Sequence, residues 1–191
     1  MFRRMFGAQR EAAADQLEGA LSAAGTTVGD TATVRRIVGR LEAMPPDQAR
    51  LVAATAYTIA RAAYADLEIS ADETAVIELL LQDNGLLDEP TAVLVTEMAK
   101  LQARTVGGTE DYVVTRELKA IASPEQRLDV LRACFAVSAA NGSISAEESA
   151  EVNEIANELD VDPAALASIR AEYHDRITSV QRVRRLAGLS D

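Results

Sequence analysis

The chain has one cysteine, one histidine and no tryptophan in 191 residues. These shortages exclude an internal disulfide framework and a zinc ribbon. Aromatic residues make up only 4%, so the core must be built from Ala, Leu, Val and Ile. With just ten Gly and five Pro, the composition favours helices. No run of apolar residues approaches the 18 or so that a membrane span needs. The start, MFRRMFG, lacks the apolar centre and cleavage site of a secretory signal, although Phe2, Met5 and Phe6 beside Arg3 and Arg4 form a short basic-apolar foot. With Cys134 unpaired as well, a cytoplasmic protein is expected. No segment alternates with period two between hairpin turns, so no strands are expected and the fold class is all-α.

Charge is plentiful but uneven, with a net value of −11. Residues 44–173 carry 23 acids against nine Lys or Arg, whereas residues 174–191 carry four Arg against two acids. The acidic middle repels phosphate backbones and argues against a nucleic-acid partner. Cations and basic partners are favoured there.

Helix punctuation is legible along the chain. Two amphipathic runs, about 8–23 and 31–43, precede Pro45-Pro46. An Ala-rich helix follows over about 47–65, and another runs from Ser70 to Asn84-Gly85. Further helices are predicted from Asp88-Glu89-Pro90 to Thr105, from Thr109 to Ser123, and from Ser123-Pro124 to Ala140. One more follows Ser145, and a last one starts at Asp162-Pro163 and is expected to run to Gly188. The implied organisation is an N-terminal helical extension (1–43), a compact helical domain of about seven helices (46–173) and a basic C-terminal extension (174–191).

An internal repeat stands out. ADLEISADE at 65–73 and ANGSISAEE at 140–148 share five of nine positions at an offset of 75. The match continues in Ile77 and Leu80 against Val152 and Ile155, and upstream in Ala56 and Ile59 against Leu131 and Cys134. The unit is helix, tight turn, helix, and two copies predict pseudo-twofold symmetry. Ser70-Ala71-Asp72-Glu73 and Ser145-Ala146-Glu147-Glu148 are capping boxes, each cap worth about 1 kcal/mol. Ile69 and Ile144 stand where they staple each turn to the core. An EF-hand is excluded, because its upstream acidic positions fall on Val137 and Ala139, or on Ala62 and Tyr64. Two readings of the turns remain. They are caps alone, or they also form a shared oxygen site in which Asp66 and Glu73 meet Asn141 and Glu148. Such donors suit Ca²⁺, Mg²⁺ or Mn²⁺ rather than zinc.

The recurring pattern helix-A-D-x-x-I-S-x-x-E, with TEDYVVTRELKAIASPEQRLDVLRACFAVSAANGSIS between, resembles the TerB-like tellurite-resistance family, which includes the N-terminal region of DjlA-type co-chaperones. The resemblance covers roughly residues 46–173. It implies an all-helical fold and a divalent-metal site formed by turn acids at Asp66, Glu73 and Glu148, with Asn141 in the place of the fourth. It also implies a stress-response binding or scaffold module that works with a protein partner, often near the inner membrane. Two departures matter. Asn141 replaces the usual Asp, and Leu67 replaces the usual turn Gly, so a left-handed backbone there would be strained. Glu68 and Glu147 are candidates to compensate.

No nucleophile, acid-base pair or phosphate loop appears, and Gly107-Gly108 lacks the Lys of a P-loop, so no enzyme is expected. His174 reads as a surface or packing residue and Cys134 as core. Arg176, Arg182, Arg184 and Arg185 form a basic stripe suited to the helix end, to an acidic partner or to peripheral membrane contact. The alternative function is a metal-independent adaptor that docks a partner through the acidic face and terminal helices.

Overall fold

The computed structural model describes residues 39, 42–83, 87–108 and 110–187. The expected helices at 8–23 and 31–43, the basic-apolar foot and the Asn84-Gly85 stop lie outside these residues, or almost wholly so. Contacts divide the chain into Met1–Ala43 and Met44–Asp191, and the second unit is described here. Among the described residues it holds eight α-helices: α1 Pro46–Ala63, α2 Ala71–Asp83, α3 Glu89–Val106, α4 Asp111–Ile121, α5 Pro124–Ser138, α6 Ala146–Glu158, α7 Pro163–Glu172 and α8 Thr178–Leu186. Single 3-10 turns occur at Tyr64–Asp66 and His174–Arg176. The all-α expectation is met.

α1 is the axle. Pro46 opens it, since a first-turn residue has no amide to lose from the helix ladder. Its C-terminal half is buried on every side: Ala56, Ala60, Ala62 and Ala63 are fully enclosed, with Ile59 between them. Small side chains let five neighbours approach, and α1 packs against α2, α3, α4, α5 and α6. The larger apolar groups come from those neighbours, notably Ile77, Leu118, Leu131, Phe135, Val152 and Ile155.

The two halves of the repeat are α1–turn–α2 and α5–turn–α6. Residues 75 apart occupy like positions: Ala56 and Leu131, Ile59 and Cys134, and Ile77 and Val152 are all buried. α5 begins with a third capping box, Ser123 with Gln126, and α7 with Asp162 accepting from the amides of Ala164 (2.8 Å) and Ala165 (3.2 Å).

The last predicted helix is not continuous. It stops at Glu172, passes through the 3-10 turn and restarts at Thr178. Ile177 between them is extended and bridges Ile144. The Ile144 amide donates to the Arg176 carbonyl (2.7 Å), and the Thr178 amide and hydroxyl donate to the Ile144 carbonyl (3.0 and 2.8 Å). These three bonds to a distant turn replace the helical ones. Tyr173 anchors the break by stacking on Phe135 with centroids 5.5 Å apart. His174 therefore lies in the 3-10 turn rather than in a helix.

Candidate functional site

Glu73 and Glu148 head the inward stripes of α2 and α6. Each precedes a buried residue, Ile77 or Val152, by four positions, so the helical repeat that buries those residues also carries the carboxylate inside. Both glutamates are only 1% exposed. One oxygen of each closes its capping box. The Ser70 amide donates to Glu73 Oε2 (2.6 Å) while the Glu73 amide donates to Ser70 Oγ (3.2 Å). The second box repeats this, with Ser145 amide to Glu148 Oε2 at 2.8 Å and Glu148 amide to Ser145 Oγ at 3.0 Å. The remaining oxygen, Oε1, is buried without a hydrogen-bond partner in both residues.

The charge of the first cap reaches the second. α6 packs against the Tyr64–Asp66 turn of the first repeat. The Glu148 carboxyl is pushed up to about 7, first by burial and then by the negative charges of Glu73 and Asp66, against the lowering effect of its Ser145 hydrogen bonds.

Asp66 and Asn141 behave differently. Both are exposed, and each closes its own turn: Asp66 Oδ1 accepts from the Glu68 amide (3.1 Å) and Asn141 Oδ1 from the Ser143 amide (3.2 Å). Of the four residues singled out in the sequence, Glu73 and Glu148 are buried, and Glu148 feels the charges of Glu73 and Asp66, whereas Asp66 and Asn141 stay at the surface. Glu68 and Glu147 are also exposed. Among the described residues, no three His, Cys, Asp or Glu side chains gather closely enough to hold a metal ion. The left-handed position is real: Leu67 has φ 71° and its counterpart Gly142 has φ 100°.

A family model described as tellurite resistance protein TerB matches residues 52–171. The chain belongs to the TerB family. Comparison with curated proteins and with solved structures gave no match. The match spans both repeat turns, so the two buried glutamates lie wholly within the TerB domain.

The TerB domain also holds a charged cluster that sequence reasoning passed over. Arg61, with a side chain 5% exposed, is enclosed by Glu151 (2.5 Å), Glu158 (2.7 Å), Asp111 (3.8 Å) and Glu154 (3.9 Å). Thr115 Oγ1 donates to Glu158 (2.6 Å) and Tyr57 OH to Asp111 (2.8 Å), so the cluster ties α1 to α4 and α6. Burial opposes the Arg61 charge, but the Glu158 hydrogen bond and the surrounding carboxylates outweigh it and hold the guanidinium above its ordinary range. Glu151 shows the opposite balance, since burial lifts it despite Arg61. The available signal was an arginine inside an alanine-rich helix. Cys134 is buried as expected, and burial pushes its thiol up to about 12, leaving it an inert core group. Among the described residues, no helix is long and apolar enough to cross a membrane.

Proposed function

We propose that this TerB domain is a non-catalytic binding module that takes a divalent cation between its two repeat turns. The observation that supports the reading is the pair of orphaned oxygens, Glu73 Oε1 and Glu148 Oε1, both buried, with the charge of Glu73 acting on Glu148. Like charges enclosed this way are costly, and either a proton on Glu148 or a cation between the carboxylates relieves the cost. Carboxylate oxygens suit Mg²⁺, Ca²⁺ or Mn²⁺, and the Glu73–Glu148 pair alone would supply the protein ligands. Two buried ligands make a weak site, with a Kd of about 10⁻⁴ to 10⁻³ M.

Titration calorimetry of each ion into EDTA-stripped protein tests this. Saturable binding is expected, tightening from pH 6 to pH 8 as Glu148 loses its proton, and vanishing in Glu148→Gln. Absence of binding to the native protein at pH 8 would sink the cation reading. That result would leave the second reading, a metal-independent adaptor. The adaptor is favoured by the apolar outer face of α3, where Val93, Leu94, Met98 and Leu101 are exposed beside an open depression of about 320 Å³.

A further inference from the structure

We propose that α8 docks the protein on an anionic lipid surface. Among the described residues, the helix is fastened by one side. Gln181 Nε2 donates to the carbonyls of Gly142 (3.3 Å) and Asp175 (3.1 Å), Arg184 pairs with Asp175 (2.9 Å), and Ile177 bridges Ile144. At 100° per residue, Ile177, Gln181 and Arg184 share that fastened side. Leu186 and Val183 fall opposite, pointing away from the domain, and they are 81% and 64% exposed. Arg182 and Arg185 lie on one flank between the fastened side and the apolar stripe, and both are exposed.

Apolar residues facing outward beside guanidinium groups, on a helix held rigidly from behind, fit the boundary between headgroups and acyl chains. A folded acidic partner would satisfy the arginines but leave Leu186 and Val183 in water. A bilayer accommodates both, because the apolar pair sinks while the arginines meet phosphates. The acidic remainder of the domain is repelled by the same surface, which orients the molecule with α8 toward it. This surface is independent of the cation site.

The test is co-sedimentation of the full chain with phosphatidylglycerol vesicles and with phosphatidylcholine vesicles, at low and high salt. Binding to the anionic vesicles alone, weakened by salt, is expected. It should fall about tenfold or more in Arg182→Glu/Arg185→Glu, as two basic contacts are reversed, and similarly in Leu186→Asp. Since these side chains touch little of the core, both variants should keep the native thermal midpoint. Failure of the wild type to sediment with anionic vesicles overturns the proposal. Unchanged binding by both variants overturns it too. So does a concentration-dependent dimer, formed without vesicles and lost in Leu186→Asp, which would assign the face to a second copy.

Discussion

Leu67 occupies a backbone conformation that its repeat counterpart gives to glycine. An L-residue in the left-handed region costs about 1–2 kcal/mol, and glycine returns part of that gain as chain entropy. Leu67 is 76% exposed, so its side chain gives little packing in exchange. Leu67→Gly is therefore expected to raise stability by about 0.5–1 kcal/mol, whereas Gly142→Leu should lower it by more than about 1 kcal/mol. Urea midpoints of the two variants check this, and equal effects of one sign would contradict it. Glu148 gives a second prediction at this scale. Its folded pKa lies above the unfolded value, so the folded state binds the extra proton between about pH 4.5 and 7. Stability is then lost as pH rises through that window. Glu148→Gln keeps the cap, as Gln126 does in the third capping box, but removes the charge. The variant should be more stable than the wild type at pH 8 by about 1–3 kcal/mol, and the difference should shrink toward pH 5. Denaturation across that range decides it.

The helices differ in how much of them a sequence reveals. Caps are local: Ser70 with Glu73 and Ser145 with Glu148 lie three residues apart, so both boxes were legible as letters. The same stripe logic that marks Ile77 and Val152 as core also places Glu73 and Glu148 inside, although the acids alone read as first-turn charges suited to the dipole. The Arg61 cluster was not legible, because its partners Glu151 and Glu158 stand 90 and 97 residues away on α6. The interruption before α8 was hidden for the same reason, since Ile177 is held extended by Ile144 of another element. Removing the shared cation from three helices should cost far more than removing one exposed partner. Arg61→Met is expected to destabilise the domain by about 3–5 kcal/mol, since it leaves buried carboxylates uncompensated. Glu154→Gln, whose side chain is 65% exposed, should stay within about 0.5 kcal/mol of wild type. Thermal unfolding of both variants provides the comparison.

At the scale of the whole molecule, the helix–turn–helix unit α1–turn–α2 recurs as α5–turn–α6, with the alanine-rich α1 packed against both helices of the second copy. Each unit contributes one capped glutamate to the interior. Each capping box holds one oxygen of its carboxylate, and the negative charge of Glu73 acts on Glu148. The resemblance named Asp66, Glu73 and Glu148 as turn acids, with Asn141 a departure from the usual Asp, but it did not distinguish buried from exposed members. The structure separates two buried acids from two surface turn-formers. Glu73 and Glu148 are enclosed carboxylates, and the charge of Glu73 helps to raise the Glu148 carboxyl. The most direct test is carbon-detected NMR titration of the Glu148 side-chain carboxyl, in wild type and in Glu73→Gln. A midpoint near 7 is expected in the wild type, shifted downward when Glu73 loses its charge and again when Mg²⁺ or Ca²⁺ is added. A midpoint near the ordinary glutamate value, unmoved by the substitution, would contradict it.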